Sequence, residues 1–103
     1  MVKKLNIHSD EAMKIYQSSS FAKKVKKLAK HEKSTLDGEI KKIIKYPEIG
    51  TEKKGDLRGV FIHKFKIKSL QYLLAYRFGE NELELIMLGP HENYYKNLKN
   101  YLK

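Results

Sequence analysis

The sequence predicts an α+β domain, with an N-terminal helical hairpin packed on a small antiparallel sheet and a C-terminal helix. Three observations carry that prediction. Apolar residues recur at helical spacing between Phe21 and Ile44. The period then changes to alternation between Val60 and Leu88. Gly89-Pro90 finally separates this region from a last helical pattern. An order of helices, strands and helix suits a mostly antiparallel sheet with its helices gathered on one face.

Each element has a local cause. Residues 1–12, MVKKLNIHSDEA, are polar and weakly patterned and read as an N-terminal extension or flexible arm, which leaves 13–103 as a single domain. Met13–Gln17 reads as a short strand. Ser18, Ser19 and Ser20 offer helix N-caps, because a serine oxygen accepts from an unpaired first-turn N–H. Phe21, Val25, Leu28 and Ala29 then form one helix face, and Lys23, Lys24, Lys26, Lys27 and Lys30 cover the rest. Ser34 with Asp37 resembles a capping box and opens a second pattern of Leu36, Ile40, Ile43 and Ile44, which Pro47 and Gly50 end. So short a connection makes an antiparallel helical hairpin. VFIHKFKI (60–67), YLLAYRF (72–78) and LELIML (83–88) read as three strands, turning at Lys68-Ser69 and Gly79-Glu80-Asn81.

Composition narrows the chemistry. There are 22 Lys+Arg against 12 Asp+Glu, a formal charge of +10. That excess favours polyanionic or acidic partners through counterion release, without separating DNA, RNA and acidic protein. Solvated lysine-rich helix faces produce the same number. The chain has no cysteine, which excludes disulfides, thiolate nucleophiles and cysteine-ligated metals. No apolar run approaches a membrane span, and the start lacks a secretory core, so the reading is a cytoplasmic chain with no membrane partner.

Alternation places Phe61, His63, Phe65 and Ile67 on one face of the first long strand and Val60, Ile62, Lys64 and Lys66 on the other. The aromatic face should meet the helices, with His63 half-buried and hydrogen-bonded rather than catalytic. Lys64 and Lys66 then emerge together, either as a solvated outer face or as a pair suited to a phosphate. Leu73, Ala75 and Arg77 share a face of the next strand, where Arg77 either meets a carboxylate or points into a cleft. In LGPHENYYKNL (88–98), His91 and Tyr95 are four apart and therefore share a helix face. Tyr94, Leu98 and Tyr101 form a separate stripe that should pack on the sheet. A helix N-terminus attracts anions, and a histidine there can move a proton near neutral pH. The plainer alternative has His91 capping the helix and Tyr95 covering the sheet edge.

Four stretches together resemble the RelE/ParE superfamily of toxins from bacterial toxin–antitoxin pairs, and in particular its RelE-like branch. They are MKIYQSSSFAKKVKKL, IIKYPEIGTEKKGDLRGVFIHKFKI, YLLAYRF and LGPHENYYKNLK, in the family's order over most of the chain. The resemblance implies a metal-independent endoribonuclease, an mRNA interferase, that cuts messenger RNA on the ribosome without a cofactor. A ribose 2′-OH would attack its own adjacent phosphate, leaving a 2′,3′-cyclic phosphate and a 5′-hydroxyl. It also implies a cognate acidic antitoxin wrapped on the basic surface, and contact with operator DNA only through that complex. Carried over by residue, Lys64 and Lys66 match the family's two strand lysines, and Tyr95 falls near its terminal aromatic. His91 matches a histidine that related toxins use. Lys53, Lys54 and Arg58 lie in the basic RNA-binding loop. Where the RelE branch has an arginine early in the next strand, this chain has Leu73, and Arg77 would have to substitute. On this reading an imidazole at the foot of the last helix faces two ammonium groups across a shared hollow. The alternatives are a ParE-like non-enzymatic toxin that inhibits DNA gyrase, or a chain that binds an acidic partner alone.

Overall fold

The computed structural model describes residues 3–4 and 13–103. The expected extension over residues 1–12 therefore lies outside the described residues, apart from Lys3–Lys4. In chain order the elements are β1 (Lys3–Lys4), β2 (Lys14–Gln17), α1 (Ser19–Lys26), α2 (Lys30–Lys45), β3 (Thr51–Glu52), β4 (Phe61–Ile67), β5 (Leu70–Gly79), β6 (Glu82–Pro90) and α3 (Tyr94–Leu102). They build one six-stranded sheet in the order β1-β2-β6-β5-β4-β3. The β4-β5-β6 meander is antiparallel, and β2 joins β6 in parallel.

The turns follow the chemistry expected of them. Lys68 and Asn81, one in each hairpin turn, take positive φ. Ser18 is the serine that caps α1: its hydroxyl accepts from Phe21 N–H at 3.0 Å and donates to the Ile86 carbonyl. The start of α2 corrects the expected boundary. The helix begins at Lys30, and the Glu32 carboxylate accepts from Ala29 N–H at 2.6 Å, so Ser34 and Asp37 lie inside it. At its other end, the buried Tyr76 hydroxyl donates to the Pro47 carbonyl at 2.6 Å and accepts from Gly50 N–H at 2.9 Å. Gly50 is required there, because a Cβ would stand 2.9 Å from the Ile62 carbonyl oxygen.

The sheet has a core on each face. Phe21, Leu36, Ile40 and Ile43 of the hairpin pack against Phe65, Leu74, Tyr76 and Leu85. On the other face α3 presses Tyr94 and Leu98 onto Val60, Ile62, Leu73, Ala75 and Ile86. The expectation that all helices gather on one face is thus corrected. The physical reason is visible in β4 and β5, where alternation leaves apolar side chains on both faces and each face needs a cover. A bulge assists: Tyr76 pairs with Leu85 and Ala75 with Met87, so Ile86 is an added residue. The added residue lets Ile86 enter the α3 core while Leu85 and Leu88 both serve the hairpin core.

His63 behaves as the alternation suggests. It is buried, stacks on Phe65 with ring centroids 5.7 Å apart, and places Nε2 2.7 Å from Glu39 Oε1 on α2. Burial raises the Glu39 carboxyl, but hydrogen bonds from His63 and Lys42, with their charges, outweigh it and hold the group below its ordinary value. A carboxyl lowered in the fold contributes stability above the ordinary value of 4.5 and loses it as pH falls through the lowered one. Urea midpoints between about pH 6 and pH 3 should therefore fall more steeply for the parent chain than for Glu39→Gln. The contact should account for on the order of 1 kcal/mol at neutral pH. Parallel curves for the two proteins would remove Glu39 from the acid response.

Candidate functional site

Lys64 and Lys66 are exposed on the sheet face that carries α3, beside the buried Val60 and Ile62. Register sets what lies across from them. Lys64 pairs with Leu73, and Leu73 with Gly89. Lys66 pairs with Gln71, and the ladder between β5 and β6 ends at Tyr72 with Pro90. His91 follows Pro90, just past the end of that ladder. Two strand spacings, about 10 Å, therefore separate the Lys64 backbone from Gly89. Gln71 escaped the sequence reading because only this register puts it beside Lys66.

His91 is exposed and lies before α3 rather than in it, since the helix begins at Tyr94. The expected shared helix face is corrected on that point. The two side chains still meet: the His91 and Tyr95 rings stand edge to face at 84°, with centroids 6.2 Å apart. The capping alternative is not taken up, because α3 has no side-chain cap and the His91 backbone carbonyl accepts from Tyr94 N–H at 3.2 Å. Of the terminal stripe, Tyr94 and Leu98 are buried, whereas Tyr101 is 38% exposed and turns toward Ser19. Tyr94 is an anchor. Its hydroxyl donates to the Met87 carbonyl at 2.6 Å, and burial pushes the phenol well above the ordinary tyrosine range. It stays protonated and cannot act as a base. The half-buried Tyr95 beside it is the ring that reaches the face.

The basic loop divides. Lys54 and Arg58 are exposed, and Lys53 turns inward to place its ammonium 4.8 Å from the centroid of the Tyr95 ring. The structure thus links Lys53, Tyr95 and His91 through their side chains, although the Lys53 backbone is bonded at Val60, beside the Phe61–Tyr76 pair. It does not group Arg77 with them. Arg77 Nε donates to Glu84 Oε1 at 3.1 Å, in register with it, and sits four residues along β5 from Leu73, about 13 Å away. Of the two readings left open for Arg77, both are observed: it pairs with a carboxylate and lines a cleft. Both partners are substantially exposed, so the pair contributes little. Arg77→Ala should shift the urea midpoint by less than about 1 kcal/mol. It should also leave any catalytic rate of the opposite end within about twofold, as expected for a site beyond coupling distance. A rate lower by an order of magnitude would return Arg77 to the site.

One cleft of about 510 Å³ runs between α1 and α3, past Lys23, Lys24, Lys27, Asn97 and Tyr101. A second, of about 460 Å³, surrounds Arg77 and Glu84. Neither is lined by Lys64, Lys66 or His91. Neither cleft coincides with the expected hollow; the cations lie along the surface of β4 and its preceding loop, and the rings at the start of α3. Such a surface suits an extended polyanion better than an enclosed small molecule.

Comparison with known proteins agrees on the scaffold. The fold is similar to a chain of the intact E. coli RelBE toxin–antitoxin complex, with TM-score 0.61 and 20% identity over 76% of this chain and 95% of that one. It is also similar to the isolated E. coli RelE toxin, with TM-score 0.58 and 20% identity over 84% of this chain and 95% of that one. No curated protein sequence matches the chain. Among the described residues, no helix is long and apolar enough to cross a membrane. Residues 15–99 match the family described as the ParE-like toxin of type II bacterial toxin–antitoxin systems. Spanning both cores and the whole candidate face, that match makes this chain a member of the ParE-like toxin family.

Proposed function

We propose that this toxin is a metal-independent endoribonuclease that cuts messenger RNA on the ribosome. What supports it most is that strand register and alternation put Lys64 and Lys66 on the sheet face that α3 covers, while the rings of His91 and Tyr95 meet at the start of that helix. Each part of the reaction then has a group suited to it. A base removes the 2′-OH proton, O2′ bonds to phosphorus, the bond from phosphorus to O5′ breaks, and an acid returns a proton to O5′. The products are a 2′,3′-cyclic phosphate and a 5′-hydroxyl. His91 acts as the acid or base. Lys64 and Lys66 hold the charge that develops on phosphorus, or share the proton transfer. Tyr95 stacks on or orients the cut nucleotide. In this reading the protein is cytoplasmic, and a cognate acidic antitoxin neutralises it by covering the basic face, with operator DNA reached only through their complex.

A second reading has its own support. The matching family is ParE-like, and Leu73 stands where the RelE branch carries an arginine. A non-enzymatic toxin that inhibits DNA gyrase would require neither that arginine nor the His91 grouping. One pair of assays separates the readings: map message ends after adding the protein to translating ribosomes, and measure gyrase supercoiling beside it. New message ends with unimpaired gyrase are the expected result. Intact messages with inhibited gyrase would transfer the chain to the second reading.

A further inference from the structure

Lys53 is half-buried and anchored at its root. Its backbone N–H donates to the Val60 carbonyl at 2.8 Å, and it forms an isolated bridge with Arg58. The loop from Lys53 to Val60 depends on Gly55 and Gly59, whose φ values of +68° and +86° other residues rarely adopt. The side chain so directed sets its ammonium 4.8 Å from the Tyr95 ring centroid. Tyr94 and His91 meet Tyr95 in perpendicular contacts, at 5.7 and 6.2 Å between centroids. In the free protein a cation therefore occupies a face of the ring on which a base would stack.

We infer that Lys53 is a phosphate-binding residue parked on Tyr95, released when single-stranded RNA presents a base and its phosphate together. The inference rests on the nuclease reading of this face. The ring attracts the ammonium only through its quadrupole, whereas a phosphate offers a full negative charge. The incoming base takes the place that the ammonium leaves, so the Tyr95 ring face stays covered throughout. Phosphate alone uncovers the ring without replacing the contact, and a base alone displaces the ammonium without giving it a partner. The exchange therefore favours a nucleotide within a strand over either piece.

Proton magnetic resonance of the Lys53 ε-methylene group reads the exchange directly. In the free protein, the Tyr95 ring should shift those protons upfield, and Tyr95→Leu should abolish the shift. A short 2′-O-methyl RNA oligonucleotide, which lacks the attacking hydroxyl, should relax the shift in the parent protein, whereas inorganic phosphate should not. Lys53→Met should raise the oligonucleotide concentration for half-saturation by about tenfold and lower the salt slope by about one, with Lys53→Arg retaining most of the binding. An ε-methylene shift that ignores Tyr95→Leu, or persists at saturating RNA while Lys64, Lys66 and His91 respond, overturns this inference alone. The expected exchange without message cutting by the parent chain overturns the nuclease reading alone. Absence of any RNA binding overturns both.

Discussion

Replacing His91 by alanine is expected to lower message cutting by about 10²–10⁴-fold, the usual contribution of a positioned acid or base. The denaturation midpoint should stay within about 0.5 kcal/mol of the parent. The fold makes this separation possible. His91 is exposed, lies before α3, and has the perpendicular Tyr95 ring as its aromatic contact. It belongs to neither core, so its removal opens no cavity. His91→Gln retains hydrogen bonding without imidazole proton transfer and should lose activity similarly. The readout is the rate at which new message ends appear under single-turnover conditions, with a urea titration of the same samples. A variant that cuts at the parent rate removes His91 from the chemistry, and the case for a nuclease then has to rest on Lys64 and Lys66.

Leu73→Arg should destabilise the protein by about 3 kcal/mol or more, as burial of an uncompensated charge does. It should also fail to increase activity. By resemblance this is the position where the RelE branch carries an arginine, so the substitution looks like a restoration. The packing shows otherwise. Leu73 is fully buried in the α3 core with Ile62, Ala75, Tyr94 and Leu98. It stands directly opposite Lys64, so a guanidinium would face an ammonium with no carboxylate of the ladder beside it. Either the charge stays buried or α3 lifts from the sheet and takes Tyr95 with it. Leu73→Met, nearly equal in volume, should cost under about 1.5 kcal/mol and serves as the control. A Leu73→Arg protein of unchanged midpoint with faster cutting would mean that α3 yields easily and that the site is built to hold an arginine.

These two positions show how unevenly the sequence speaks. His91 and Tyr95 were legible as a pair from their spacing, and their rings do meet, although His91 lies outside the helix that the spacing implied. Lys64 and Lys66 were legible as co-facial because alternation in a strand is set by backbone geometry alone. Arg77 was placed on the face of Leu73 and Ala75, with its distance from Leu73 along the strand left unread. Alternation reports a face and is silent on position along it, and the Glu84 that holds Arg77 comes from another strand.

What the chain determines by itself is local. The Ser18 cap, the helical face from Phe21, the stop at Pro47, both hairpin turns and the faces of β4 each depend on residues a few positions apart, whose energies the backbone settles nearby. What tertiary structure decided is everything that required two distant segments to choose each other. The parallel seat of β2 on β6, the bulge at Ile86, the burial of Leu73 under α3 and the approach of Lys53 to Tyr95 belong to this second group. Apolar residues on both faces of β4 and β5 demanded a cover on each. Only packing could assign the hairpin to one face and the last helix to the other, and that assignment brought the two aromatic residues and the three cations onto a common surface.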